Sequence, residues 1–468
     1  MSETEALFDV LRHSAEPKAA QAIERVVAEG SDRALCRINV LDFARDNGID
    51  EEHTIAAFLH AARLGIFDMS WNMLCPGCGG VLEAGTTLKS IDHHEYDCAL
   101  CAAGYEPTLD EMVEVVFTVS PRVRKIAGHD PDSLPYVEYA RQHFWGTGID
   151  LPDNLEERLD DFAIEVVELP PGEKALLSIQ LPAEFCIVFD PVTHTTQFID
   201  VQGEPTRERQ ALHVELNKDR AKTETVVMRP GPLRLSFENK TDRRLLPGVW
   251  IANHALHEML GKRKPFLTGK RLLTNQTFRD IYRTDTMDVD QRLKITSLTF
   301  LFTDLKGSTQ LYERVGDLAA YDLVRHHFRV LNEIVASEAG AVVKTIGDAV
   351  MATFQTPDHG LSAALRMRDA MQKINTERGS EDLLLKIGIH EGPCLAVTLN
   401  DRQDYFGQTV NMAARVQSLA SSRAIFATSS IVEDAQSSKL LASSGLHPVQ
   451  QRASLRGITD DMLVYEIP

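Results

Sequence analysis

The first seventy residues carry apolar side chains at intervals of three and four. "EALFDVLRHS", "KAAQAIERVVAEG" and "EEHTIAAFLHAARLGIFD" each form one apolar stripe, which predicts amphipathic helices. Within them, "NVLDFARDNGIDEEHTIAAFLHAARLGIF" reads as helix, glycine-containing turn, helix. Such a pair is either a DNA-reading helix-turn-helix or an ordinary packed hairpin. The second helix lacks the basic residues that phosphate contacts require, so packing is the expectation. Between 162 and 252 the period shortens to two. "FAIEVVEL", "ALLSIQL", "FCIVFD", "TTQFIDV", "LHVEL", "ETVVM" and "LRLSFENKT" are short strands separated by turns such as "PPGEK" and "RPGP", the pattern of an antiparallel sandwich or barrel. One further short strand, "MVEVVFTV", lies among Pro-broken pieces between 110 and 160.

A helix, "WIANHALHEMLGKR", follows, then a polar connector, "LLTNQTFRDIYRTDTMDVDQRLKI". From 296 onward the order is strand, helix, strand, strand, helix, strand. That order predicts a ferredoxin-like split βαβ sheet with helices on one face. The expected fold class is therefore multidomain α+β. Its segments are a helical region (1–72), a zinc ribbon (73–110), a mixed connector (111–161), a β-sandwich-like domain (162–255), a helical connector (256–295) and a ferredoxin-like α/β domain (296–468).

Composition narrows the function classes. At 468 residues the chain is too long for one ordinary core. Its net charge of −19 disfavours nonspecific binding to nucleic acid or anionic membrane. No run approaches the roughly eighteen apolar residues of a membrane span. "MSETEALFDV" lacks the basic-then-apolar order of a signal peptide, so a cytoplasmic location is expected.

Four of the seven cysteines fall in two close pairs, Cys75 and Cys78 in "CPGCGG", and Cys98 and Cys101 in "YDCALC". Two C-x2-C knuckles nineteen residues apart present four thiolates to one tetrahedral ion, as in zinc ribbons. With no open position apparent, the ion expected is a structural Zn²⁺; bound, it would supply roughly 10 kcal/mol or more toward folding. His93 and His94 are surplus to that set and read as surface residues.

The chemistry concentrates near the C-terminus. "LTFLFTDLKGST" runs as a buried strand and then stops at an acid, Asp304. Asp304 either caps the following helix or holds a cation. A second acid, Asp348, occupies the tight turn of "KTIGDAVMATF". A split βαβ sheet brings these two turns to one sheet end, where paired carboxylates repel unless a cation joins them. Hard oxygen ligands favour Mg²⁺ or Mn²⁺, and two such ions with a nucleotide triphosphate would complete the shell.

At these residues the sequence resembles the catalytic domain of the class III nucleotidyl cyclases, closely over about 296–435. "FLFTDLKGST" is similar to the family's first metal-binding segment, "VVKTIGDAVMATF" to its second, and "DYFGQTVNMAAR" to the segment with base-contact and transition-state residues. The region before 290, with its cysteine knuckles, also resembles an N-terminal region fused to some bacterial cyclases. The resemblance implies that Asp304 and Asp348 bind two Mg²⁺ or Mn²⁺ ions per site. It implies that Lys344 and Asp404 contact the purine, that Asn411 orients the ribose, and that Arg415 reaches the α-phosphate. Arg456 is the nearest match for a residue gripping the triphosphate. Lys donates and Asp accepts, which suits N1 and N6 of adenine and mispairs with guanine, so ATP is the expected substrate. The implied enzyme is an adenylate cyclase, a homodimer with shared sites, regulated through residues 1–290 by an unknown ligand or protein. Alternatives are a guanylate or mixed-specificity cyclase, a catalytically weak nucleotide sensor, and a zinc-ribbon transcription regulator.

Overall fold

The structure, a computed structural model, describes residues 3–91, 95–217, 225–283, 287–288, 290–420, 424–454 and 462–468. The chain divides into two units: Met1–Pro107 with Glu111–Leu267, and Thr108–Asp110 with Thr268–Pro468.

The first unit begins with α1 (Glu3–Ser14), α2 (Pro17–Glu29), α3 (Val40–Asn47) and α4 (Glu51–Arg63). Side-chain caps start the later pair: Asn39 accepts from the Leu41 and Asp42 amides, and Asp50 from that of His53. Gly48, at φ +62°, ends α3 in the left-handed conformation that glycine adopts without a Cβ penalty. Phe58 of α4 packs against Phe43 of α3, and against Phe67 and Phe117 on a sheet below, at centroid distances of 5.0, 5.2 and 5.3 Å. The helix pair thus buries its apolar stripe on a sheet. That sheet has the order β2 (Val81–Gly85), β1 (Phe67–Leu74), β5 (Val113–Val119). Because β5 pairs along nearly all of β1, the segments expected at 1–72, 73–110 and 111–161 share one sheet. Between β2 and β5 lies a small hairpin, β3 (Tyr96–Cys98) with β4 (Ala103–Tyr105). A carboxylate ties this layer together. Glu114 is fully buried and accepts from Arg37 Nη2 at 2.8 Å, Asn72 Nδ2 at 3.0 Å and Thr147 Oγ1 at 2.8 Å.

After α5 (Tyr136–Tyr139), which a π-helical turn prolongs to Phe144, and α6 (Leu155–Asp160), eight strands form two sheets. One is β10 (Gln210–Leu216), β12 (Gly231–Asn239), β7 (Lys174–Leu181). The other is β11 (Val226–Met228), β9 (Thr196–Val201), β8 (Cys186–Phe189), β13 (Gly248–Ile251), β6 (Ala163–Val166). Alternate residues such as Val188, Ile199, Leu235, Phe237 and Val249 make the shared core. The pairing is not purely antiparallel as expected: β10–β12 and β11–β9 are parallel. The chain passes from β10 to β11 in the other sheet and back to β12, so neighbours within a sheet are joined by crossings and run the same way. Helix α7 (His254–Leu260) closes the unit.

The second unit opens with α8 (Gly269–Leu273) and α9 (Gln276–Ile281). Then come β14 (Arg292–Leu305), α10 (Ser308–Val315), α11 (Asp317–Ser337), β15 (Ala341–Ile346), β16 (Ala349–Phe354), α12 (Pro357–Arg378), β17 (Leu385–Leu399), β18 (Arg402–Phe406), α13 (Gln408–Leu419), β19 (Ile425–Thr428), α14 (Ser429–Val432), α15 (Ala435–Ser443), β20 (Val449–Ala453) and β21 (Met462–Ile467). The sheet order is β15-β16-β14-β17-β19-β21-β20, with β18 paired to β17. β14 therefore sits inside, antiparallel to β16 on one side and β17 on the other.

Helices α11 and α12 cover one face through Leu331, Val335, Leu361, Ala364 and Met367. Helix α13 lies on the other face, a correction to the one-sided arrangement expected. Ile387 and Ile389 point into the α11–α12 core, so Gly388 between them faces α13. A Cβ on Gly388 would lie 2.1 Å from the Gln417 backbone nitrogen, and one on Gly392 would lie 2.9 Å from Thr409 Oγ1. Helix and strand touch backbone to backbone there.

Candidate active site and cysteine cluster

Asp304 is the penultimate residue of β14, placed opposite Lys386 of β17. Asp348 lies in the β15–β16 turn, following Gly347 at φ +63°. Antiparallel pairing from Thr299 to Thr303 brings that turn to the same sheet end as Asp304. Thr303 is almost fully buried, and its Oγ1 accepts from the Val350 amide at 3.2 Å, which anchors the hairpin to β14. Burial, and then the Asp348 charge, hold the Asp304 carboxyl above the usual carboxylate range; Lys386 opposes the shift. Asp348 keeps one carboxylate oxygen, Oδ2, buried and without a hydrogen-bond partner. Two mutually repelling carboxylates with an orphaned oxygen suit a divalent cation better than a helix cap.

Lys344 Nζ on β15 contacts Asp404 Oδ2 on β18, in a direct ion pair. Asp404 is 7% exposed, and its Oδ1 accepts from the Tyr405 amide at 2.9 Å. A register shift between Val342 and Lys344 interrupts the β15–β16 ladder just before the lysine. Such a bulge re-aims the side chain that follows it. Asn411 and Arg415 stand one turn apart on α13, the first exposed and the second half-buried. Among the described residues the Arg415 side chain has no hydrogen-bond or ion-pair partner, so its guanidinium is available to a ligand. Arg456 lies outside the described residues.

Sequence reasoning missed His327 and Tyr405. His327 of α11 is fully buried near Asp348, its Nδ1 3.4 Å from Met371 Sδ, and burial pushes its pKa down to about 4. A histidine at a stripe position of a long helix gives no signal of such a placement. Tyr405 packs edge-on against Phe300 of β14 and donates to the Leu273 carbonyl at 3.3 Å.

The second cluster lies in the first unit. The sulfurs of Cys75, Cys78, Cys98 and Cys101 all lie within 4.8 Å of one another. Cys75 and Cys101 are 3.6 Å apart, Cys78 and Cys98 3.7 Å. The first knuckle follows β1, closed by Cys75 and Gly79–Gly80 backbone bonds of 2.8 Å; the second spans the β3–β4 turn. Gly80 N donates to Cys78 Sγ at 3.4 Å. A Cβ on Gly77 would lie 2.9 Å from Cys101 Sγ, so the sulfurs require glycine there. His93 and His94 lie outside the described residues.

Comparison with known proteins divides the chain between residues 280 and 291, past the packing boundary at Leu267. Residues 1–280 match a family of unknown function (DUF5939), which is more than half of the chain. The chain belongs to that family. Residues 291–465 of this DUF5939 protein match the adenylate and guanylate cyclase catalytic domain. An adenylate cyclase of Anabaena cylindrica is 27% identical over 185 residues, covering 36% of this chain and 36% of that protein. The human guanylate cyclase soluble subunit beta-2 is 29% identical over 132 residues, 26% of this chain and 21% of that protein. The adenylyl cyclase CyaB of P. aeruginosa aligns over 38% of this chain and 96% of its own at 21% identity, with a TM-score of 0.33. The chain thus spans about a third or less of the length of these two curated relatives. It carries an adenylate/guanylate cyclase catalytic domain behind a DUF5939 region.

The raised Asp304 carboxyl has a measurable consequence. A carboxyl whose pKa is higher folded than unfolded favours the fold at low pH and penalises it once pH rises through the folded value. Asp304→Asn should therefore raise the thermal midpoint of the metal-free protein at neutral pH. The advantage should vanish below the usual carboxylate range. Equal midpoints at neutral pH would show that burial and the Asp348 charge do not raise the Asp304 carboxyl.

Proposed function

We propose that the protein is an adenylate cyclase, converting ATP to 3′,5′-cyclic AMP and pyrophosphate. The observation that carries this reading is the Asp304–Asp348 pair at one sheet end of a cyclase catalytic domain, with Asp348 Oδ2 left buried and unpartnered. The two carboxylates fit a pair of Mg²⁺ or Mn²⁺ ions. Bound there, such ions would lower the pKa of the ribose 3′-hydroxyl and neutralise the triphosphate. Arg415, without a partner among the described residues, takes the α-phosphoryl oxygens and opposes the charge that builds there as the 3′-oxygen attacks. Asn411, one turn earlier, fixes the ribose. No side chain is assigned as the general base.

Purine choice falls to Lys344 and Asp404. Adenine offers an acceptor at N1 and a donor at N6, which the lysine and the carboxylate match. Guanine presents the reverse, leaving both mispaired at about 1–3 kcal/mol for each buried group. The ion pair between them keeps the two side chains side by side before substrate arrives. A guanylate or mixed-specificity cyclase is the second reading, since relatives of both names align. Lys344→Glu should lower ATP turnover and raise the relative use of GTP, measured as the ratio of kcat/KM values. An unchanged ratio removes the argument for ATP.

The split βαβ order β15-β16-β14-β17 supports a ferredoxin-like catalytic core. We place the working sites between two copies of this domain, the acids from one and the Lys344, Asp404, Asn411 and Arg415 set from the other. Mixing Asp304→Ala with Arg415→Ala subunits then yields heterodimers with one intact site of two. A random mixture should regain about a quarter of wild-type cyclic AMP production. No recovery, with subunit exchange verified, excludes shared sites; no product from wild type with ATP and Mn²⁺ excludes the enzyme.

Residues 1–290 are read as regulatory, taking an unidentified ligand or protein, with the four cysteines holding a structural Zn²⁺. Tetrahedral Zn–S bonds of about 2.3 Å set sulfurs about 3.8 Å apart, close to the spacings seen. The purified protein should contain one zinc per chain by elemental analysis. Cys78→Ser should lose the metal and lower the thermal midpoint of the first unit; a zinc-free, equally stable wild type rules this out. No helix among the described residues is long and apolar enough to cross a membrane.

A further inference from the structure

A cavity of about 220 Å³ lies in the second unit, walled by α9, by Val342 and Val343 of β15 and by Arg402 and Gln403 of β18. The residues that follow on those two strands are Lys344 and Asp404. Three guanidinium groups line the cavity: Arg279, Arg283 and Arg402. One carboxylate, Asp280, lines it too and lies 3.9 Å from Arg283. The local balance is cationic in a chain of net charge −19.

Arg279 is held in place from two sides. Its Nη2 donates to the Gln403 carbonyl at 3.0 Å, and its guanidinium carbon lies 5.8 Å from the centre of the Tyr405 ring. Its Nη1 is buried and has no partner, and the neighbouring Gln403 Nε2 is likewise buried and unpaired. Leaving buried donors unmade is costly, most of all on a charged group. A further wall residue, Gln276, spends its Oε1 on the Val342 amide at 2.8 Å, covering the edge strand. What remains at the cavity wall is three guanidinium groups against one carboxylate. That is a receptor for a multiply charged oxyanion.

We propose that this cavity binds a small phosphate ester, its phosphate held among the guanidinium groups of Arg279, Arg283 and Arg402. The volume exceeds what a phosphate alone needs and leaves room for an organic body of a few carbons. Occupancy pulls on Gln403 and on the bulged Val343, and so on the placement of Asp404 and Lys344. That consequence for nucleotide choice rests on the function proposed above; the binding does not.

The test uses the full-length protein without divalent metal or nucleotide, titrated calorimetrically with ribose 5-phosphate and, separately, with ribose. Ribose 5-phosphate should bind and ribose should not. Arg279→Gln and Arg402→Gln should each weaken binding at least tenfold, while Arg415→Ala leaves it unchanged. Arg402 is exposed, so its variant reports even where Arg279→Gln fails to fold. No binding to wild type, equal binding of ribose, equal affinity in Arg402→Gln, or loss in Arg415→Ala each overturns the proposal. A cyclase that is inactive yet binds the ester leaves the cavity assigned and sinks only the catalytic reading.

Discussion

Two carboxylates, Asp304 and Asp348, brought to one sheet end by an interior strand and its neighbouring hairpin are the constraint on which the second unit's site depends. Neither acid reaches its position by chance of the surface. β14 is an interior strand, and the β15–β16 hairpin is bound to it by the ladder and by the Thr303–Val350 bond. The fold therefore spends hydrophobic burial along β14 and β16 to hold two like charges at one sheet end. Under the proposed function a cation would offset that cost. The buried Asp348 oxygen has no hydrogen-bond partner among the described residues.

In the first unit the same economy of polar groups appears with the opposite outcome. Glu114 is buried as deeply as any apolar residue, yet Arg37, Asn72 and Thr147 satisfy it from three separate segments. A satisfied buried carboxylate of this kind cross-links structure; an unsatisfied one marks chemistry. The four sulfurs, clustered on two tight turns with glycine forced beside them, would cross-link separate segments in the same way if a metal joined them.

Much of this was legible in the residues. The acid at the end of "LTFLFTD", the acid in the "IGDA" turn and the two C-x2-C pairs are local patterns, each tied to one turn. The helix stripes before residue 70 and the short strands after 162 follow from period alone. What could not be read were features set by distant pairing. β5 joins β1 across some forty residues, parallel neighbours arise in the sandwich because the chain crosses between sheets, and α13 lies opposite α11 and α12. The Arg279 cavity is of this kind as well. "TFRDIYR" shows only a mixed amphipathic segment, and its meaning depends on two strands more than sixty residues away. Arg456 and the histidines after the first knuckle fall outside the described residues.

The glycines at 388 and 392 set how α13 behaves. Most helices ride on a cushion of side chains that can change rotamer, so they shift by small amounts at little cost. Here the cushion is missing, and the helix rests on the main chain of β17. Asn411 and Arg415 consequently share the rigidity of the sheet rather than that of a surface helix. Under the proposed function, ribose and phosphate contacts made by these two residues would have little room to adjust within one copy. A signal that alters the rate would then have to displace the whole sheet as a rigid body, or act on the edge strands.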